Sequence, residues 1–335
     1  MWTLSNRTPY GTDRNWTRDK DGRHVWIVAV KATFDIQPNG ALKLADEQDP
    51  PSLEPKFYGD PTKTSLKYES DLLAVKPGTD VVLNARAYAP AGKPASQVDV
   101  LFRMEGFSKH LIVYGERTYF TGLTGALTTT AAQPFTTCPI IYEYAFGGSD
   151  LGDPDPRRQR MEARNPVGRG VAADLGSLVH RPAHRIEYAS GAPTRPAGFG
   201  AIASWWIPRS EHAGTYDDAW AETKKPLLPD DYDPQHTLMS PLDQRSARWL
   251  RGGELAELLN MTPQGGLRFE LPRLYFTYRT RFGSRNVEHR GHLATVIIEP
   301  DVPRVIVVYQ SSLVVPRKDV ARLTDTVIQT KEYLR

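Results

Sequence analysis

Val25-Trp26-Ile27-Val28-Ala29-Val30-Lys31-Ala32-Thr33-Phe34-Asp35-Ile36 is the stretch from which the fold is read. Every second residue from Trp26 to Ile36 is apolar, which is the period of a β-strand with one continuous buried face. Pro38-Asn39-Gly40 follows, and Leu42 and Leu44 then resume the alternation, so the chain is expected to turn back as a hairpin. The same texture recurs downstream. Val81, Leu83, Ala85 and Ala87 alternate up to Pro90-Ala91-Gly92. Val98, Val100, Phe102 and Met104 alternate with Asp99, Arg103 and Glu105, and after Gly106 the run Leu111–Tyr114 reads as the returning strand. Towards the end, Leu267, Phe269 and Leu271 alternate, as do Leu274, Phe276 and Tyr278. Leu293–Ile298 and Val305–Tyr309 are apolar on both faces and joined by a proline-containing turn, the pattern of a hairpin buried in the centre of a sheet.

Between these regions the period is lost. From Pro134 to Pro241 prolines, glycines, aromatics and charges are mixed, and a segment that long needs a function or its own packing. Its aromatic content favours packed irregular structure over disorder. Helical spacing is weak. Val320, Leu323 and Val327 suggest a short C-terminal helix from Lys318, and Gln244–Leu250 a second one capped by Asp243. The expectation is one mainly β domain over 1–335 with sandwich-like antiparallel sheets. Its β-rich core falls over 1–133 and 265–315, and an irregular aromatic insertion over 134–245.

Composition narrows the function classes. Lys+Arg 42 against Asp+Glu 39 leaves a net charge of +3, too little for a field that would collect nucleic acid. Cys138 is the only cysteine, so neither an intramolecular disulfide nor a multi-cysteine zinc site can form. The N-terminal residues lack the layout of a signal peptide, and no apolar run approaches the ~18 residues of a membrane span. A cytoplasmic protein is expected, binding neither nucleic acid nor membrane.

The chemical motifs are sparse. Gly168–Ala173 and Gly198–Ala203 both fit G-x-G-x-x-A, but neither follows a buried strand, so turn glycines are the expected reading and no cofactor is assigned. His180 with His184, and His289 with His292, have metal-compatible spacing only on a helix. Pro182 and Gly291 argue against one. Asp150, Asp153 and Asp155, like Asp230, Asp231 and Asp233, are interrupted by prolines and read as solvated turns rather than a calcium cage. Arg157, Arg158, Arg160, Arg164 and Arg169 form a basic cluster for which pairing with the acidic neighbours is favoured over RNA. Cys138, before Pro139 in an apolar run, is expected to be buried rather than nucleophilic. No catalytic or metal residue is proposed.

Eight segments, in order, resemble a bacterial family long described only as a domain of unknown function, the type VI secretion effector adaptors. They are Val30–Phe34, Tyr68–Leu72, Lys76–Val81, Ala87–Gly92, Tyr142–Gly148 (YEYAFGG), Asn165–Gly170 (NPVGRG), Ala213–Trp220 and Pro226–Pro234. Where such proteins often carry a tryptophan in the last strand, this chain has Val308-Tyr309-Gln310. The resemblance implies a non-enzymatic adaptor or chaperone that binds a toxin effector encoded nearby and helps load it onto the secretion spike, a VgrG protein or its PAAR-type tip. An adaptor needs exposed aromatic and arginine anchors. The irregular middle offers Tyr142, Phe146, Arg157, Arg158, Trp205, Trp206, Tyr216 and Trp220, although core packing competes for the aromatics, which bury about 150–250 Å² each. The alternative is a carbohydrate-active or carbohydrate-binding β-sandwich. It would show two facing carboxylates in a cleft or a row of exposed aromatics. The oligomeric state is left open.

Overall fold

The computed structural model describes residues 2–74, 76–191, 193–246 and 248–331; Met1 of the N-terminal stretch and Ala247 of the expected Gln244–Leu250 helix lie outside the described residues. The protein is mainly β, with several antiparallel sheets and none closed into a barrel. The strand read first from the sequence runs over His24–Ile36 and is the spine of a central sheet. Gly11–Arg18 lies antiparallel on one side of it and Arg304–Val315 on the other; His292–Glu299 and then Asp80–Leu83 complete the order. Asp80–Leu83 joins parallel to His292–Glu299. The hairpins expected at Pro38–Gly40 and between Ile298 and Val305 are both present.

The His24–Ile36 strand buries both faces, which explains why the odd positions Val25, Ile27 and Ala29 are apolar as well. Trp26, Val28, Val30, Ala32 and Phe34 point into the main core. That core is shared with a five-stranded sheet (Ile186–Tyr188, Phe107–Tyr114, Gln97–Met104, Leu255–Leu259, Gly266–Glu270). It is also shared with a four-stranded sheet (Thr3–Asn6, Leu323–Thr330, Phe276–Phe282, Arg285–Arg290). The indole N–H of Trp26 crosses this layer to donate to Thr326 Oγ1 at 2.9 Å. Val25, Ile27 and Ala29 face the other way, onto Leu72 and Ala74. Lys31 and Thr33 continue that second face, and the buried ammonium of Lys31 has to be met by a carboxylate there.

Two expectations are corrected. No helix follows Lys318: a single 3-10 stretch over Arg317–Arg322 leads into the strand Leu323–Thr330. The β-branched run Thr324, Thr326, Val327, Ile328 sits between Phe276–Phe282 and Thr3–Asn6, and ladder pairing on both edges outweighs the weak helical spacing. Around Asp243 there is only a 3-10 turn, Leu242–Gln244. The Asp243 carboxylate caps no helix; it accepts from Lys109 Nζ at 2.8 Å, Tyr188 Oη at 2.7 Å and Arg195 at 3.2 Å. The middle of the chain consists mainly of short 3-10 turns and strands of two or three residues, with one α-helix, Asp218–Thr223.

Candidate functional site

The second face of the central sheet carries the most charged interior of the molecule. Lys31 Nζ donates to Asp71 at 3.0 Å, and the same carboxylate oxygen accepts the Ser52 N–H at 2.8 Å. Lys76 Nζ donates to Asp80 at 2.7 Å and to Thr295 Oγ1 at 2.8 Å. Asp80 also accepts the Ser240 N–H and hydroxyl, each at 2.8 Å. Burial works to raise the Asp80 carboxyl, but Lys76 and Ser240 together hold it below the ordinary carboxylate range. Arg209, 1% exposed, donates from Nη1 to Glu69 at 2.8 Å and to the Ile202 carbonyl at 2.6 Å, and from Nε to the His236 carbonyl at 2.8 Å. Charges taken this far from water persist only when paired and hydrogen-bonded. These pairs therefore rivet the irregular segments to the sheet.

A cavity of about 660 Å³ opens beside the Glu69–Arg209 pair. Its sheet side is formed by Thr17, Arg18, Leu73 and Ala74, its opposite side by Pro226–Leu228, Tyr232 and His236. That opposite wall is shaped locally. Asp217 accepts the Trp220 N–H at 2.8 Å and starts the helix Asp218–Thr223. The Trp220 indole N–H then donates to the Leu227 carbonyl at 2.9 Å and pins the following loop. Asp231 accepts from the Thr215 N–H and hydroxyl, and Asp233 from the Gln235 N–H. Asp233 thus forms a local turn, Asp231 ties the loop back to Thr215, and Asp230 pairs with Lys224.

A second construction holds the middle of the chain together. Asn165 is fully buried and its amide donates to the Tyr142 and Phe146 carbonyls, both at 2.9 Å. The Gly148 N–H returns a bond to the Asn165 carbonyl at 2.8 Å. Gly147 and Gly148 have φ +151° and +113°, and a Cβ on Gly147 would collide with the Asn165 carbonyl. Both glycines are needed for this close approach. The YEYAFGG and NPVGRG segments thus form one clasp.

The eight residues named for partner binding separate. Tyr142 and Trp206 are core residues, packed edge to face with ring centroids 5.6 Å apart, so their side chains are out of a partner's reach. Phe146 is half-buried against the His184 ring. Trp205 is 53% exposed and packs on Phe57 with ring centroids 5.5 Å apart. Tyr216, 53% exposed, leans edge-on against the half-buried Trp220 at 4.7 Å. Arg157 and Arg158 are exposed on a turn organised by Asp153 and Asp155, whose carboxylates take backbone donors. Local pairing accounts for Arg158, which faces Asp153, and Arg164, which grips Glu162 through two bonds. The residues that line the cavity, Glu69 and Arg209 above all, were not singled out. Glu69 stands in a quoted segment, but Arg209 follows Pro208 in aperiodic sequence and carries no local signal.

The remaining chemistry-bearing residues are dispersed. His184 lies between Tyr119 and Glu187, His289 between Thr280 and Ser311, and His292 stacks on Trp249. Burial pushes the His289 imidazole down to about 4. Cys138 is buried, which raises its thiol. Among the described residues no group of three His, Cys, Asp or Glu is placed to hold a metal ion, and no helix is long and apolar enough to cross a membrane. Gly198 is a packing glycine whose Cβ would lie 2.8 Å from the Tyr142 ring. A smaller recess of about 200 Å³ contains Glu299 and Asp301. Burial works to raise the Glu299 carboxyl, but Tyr68, Asn84 and Arg304 bind and hold it low, whereas burial raises that of Asp301.

Neither a curated protein nor a solved structure matches the chain. A family model described as "Uncharacterized protein conserved in bacteria (DUF2169)" matches residues 21–310, which takes in the Lys31–Asp71, Lys76–Asp80 and Glu69–Arg209 pairs, the clasp and the cavity wall apart from Thr17 and Arg18. The chain belongs to this bacterial family, DUF2169.

Proposed function

We propose that the protein is a non-enzymatic adaptor or chaperone that binds a type VI secretion effector in the cytoplasm of the producing cell. It would then aid loading of that effector onto a VgrG or PAAR-type spike. The observation that carries this reading is the ordered series of eight segments. In space, the polar residues of those segments are spent on holding the scaffold: Lys31 with Asp71, Glu69 with Arg209, Lys76 with Asp80, and Asn165 with the Tyr142–Gly148 turn. A rigid irregular surface is what an adaptor needs, because ordering costs then fall on the partner alone.

The contact surface we assign to the effector is centred on Trp205, with Phe57 packed against it. Exposed tryptophan on a fixed platform is the commonest form of binding hot spot. Trp205→Ala should leave folding intact and weaken effector capture by more than tenfold. Effector capture unchanged by this substitution would remove the assigned surface.

A carbohydrate-active reading has one observation in its favour, the Glu299–Asp301 recess, because carboxylates held apart in acidity are the raw material of glycoside chemistry. At about 200 Å³ the recess is smaller than the ~300–1,000 Å³ of ordinary ligand pockets. Glu299 is also occupied by Tyr68, Asn84 and Arg304. The reading fails if Glu299→Gln and Asp301→Asn leave hydrolysis of a panel of aryl glycosides at the background level shown by the unaltered protein.

A further inference from the structure

The 660 Å³ cavity combines three kinds of wall. Leu73, Ala74, Leu227 and Leu228 are partly exposed and give it an apolar lining. Arg18 is exposed at the end of the Gly11–Arg18 strand, and its guanidinium has no acidic partner or hydrogen bond among the described residues. Arg209 is 1% exposed; its Nη1 and Nε are engaged, and no described residue accepts from Nη2. The third element is His236. Its Nδ1 lies 2.9 Å from the Arg209 carbonyl, which can only accept, so Nδ1 donates there, and in the tautomer protonated at Nδ1 alone Nε2 is an acceptor.

The charge balance at this site is one-sided. Glu69 is the carboxylate of the cavity wall, and it is used by Arg209 Nη1 and the Ser70 N–H. Arg245 stands close enough to Arg209 for the two guanidiniums to repel; Asp80 acts on it in the opposite sense, but its hydrogen bonds go to the Ser240 and Leu238 carbonyls. Asp80 is committed to Lys76 and Ser240. The acidic residues of the opposite wall are engaged as well: Asp230 with Lys224, Asp231 with Thr215, Asp233 with His212. Positive charge is therefore in excess beside an apolar cavity, a combination that costs free energy until an anion arrives.

We propose that this cavity binds an apolar carboxylate carrying an adjacent N–H, the chemistry of a peptide's C-terminal residue or of a free N-acyl amino acid. The carboxylate is taken by Arg18 and Arg209, the apolar side chain by the leucines, and the N–H by His236 Nε2. Its size fits such a ligand, lying within the ~300–1,000 Å³ of small-molecule pockets. The inference stands apart from the adaptor reading, and its test uses the isolated full chain.

The probes are acetyl-leucine, its uncharged twin acetyl-leucinamide, and the acid and amide forms of acetyl-Ala-Ala-Leu. Binding is followed by methyl NMR of leucine-labelled protein, with the Leu73, Leu227 and Leu228 resonances assigned by substitution. The expected result is saturable shifts of those methyls by the acids and at least about tenfold weaker binding of the amides, as loss of a charge-assisted contact requires. Arg18→Gln, at an exposed position with no partner to lose, should weaken the acids about tenfold and leave the amides unchanged. Tighter binding of the longer acid identifies a peptide end, and tighter binding of acetyl-leucine a free acid. Equal binding of acid and amide, or the absence of shifts at those methyls with millimolar acid, overturns the proposal. Either outcome leaves the effector-capture test untouched.

Discussion

Asn165→Ala tests the clasp that organises the irregular half of the chain. The Asn165 amide supplies donors to the Tyr142 and Phe146 carbonyls, both at 2.9 Å. Their situations differ. Tyr142 O also accepts the Ala145 N–H at 3.1 Å, so it keeps one bond after the substitution. Phe146 O has no second donor among the described residues. Leaving a buried carbonyl unpaired costs ~1–3 kcal/mol, and losing one of two bonds ~0.5–1.5 kcal/mol. The expected destabilisation is therefore about 2–4 kcal/mol. Asn165→Asp preserves shape but turns an acceptor onto both carbonyls, and should be the more damaging of the two. Urea unfolding followed by far-ultraviolet circular dichroism gives the measurement, read as a shift in midpoint at constant slope. A loss below about 1 kcal/mol for the alanine variant, or an aspartate variant as stable as the parent, would refute the argument that this amide holds the turn.

Other consequences are smaller in scope. Thr326→Val removes the acceptor of the buried Trp26 indole N–H and a partner of the Thr280 hydroxyl, and should cost ~1–3 kcal/mol in the same urea assay, with little effect expected if the N–H finds no need of it. His289 is neutral when folded, with its acidity pushed to about 4 against 6.5 when unfolded. In that window the unfolded chain binds the extra proton. Its contribution is fully present above about pH 6.5 and is lost as pH falls through 4, by up to about 3 kcal/mol at ~1.4 kcal/mol for each pH unit. His289→Gln should flatten that part of the stability–pH curve; an unchanged curve would show that other groups dominate it. Trp205→Ala should alter stability by less than about 1 kcal/mol, because the ring is half in solvent, so that any loss of effector capture reports contact rather than folding.

How far the sequence reached depended on whether a signal was local. The Trp26–Ile36 alternation, the Pro38–Gly40 turn and the two-faced apolar hairpin near the end are local patterns, and each appears where expected. Leu323–Thr330 was misread because Val320, Leu323 and Val327 can be spaced for a helix, while the pairing that makes it a strand comes from Thr3–Asn6 and Phe276–Phe282, remote in sequence. The parallel contact of Asp80–Leu83 with His292–Glu299 is equally invisible from either segment alone. Leu255–Leu259 escaped notice because five residues are too short a window to show a period. At the site, the two halves of the clasp were visible only as separate segments, Tyr142–Gly148 and Asn165–Gly170, and that the Asn165 amide joins them did not follow from spacing. Lys31 stood inside the strand read first, but nothing in the sequence named Asp71 as its partner. Nor did anything mark Arg209, since a buried arginine looks like any other until its carboxylate, 140 residues away in the chain, is found.

The central claim is that this protein carries an effector, and it is tested most directly by affinity purification of the tagged full-length chain from its own cells. The cells should be expressing the secretion system, and bound proteins are identified by mass spectrometry. The account predicts recovery of a toxin effector encoded nearby, together with or without a VgrG or PAAR-type spike component, and loss of that recovery in the Trp205→Ala variant. Recovery of neither an effector nor a spike component from such cells would contradict it.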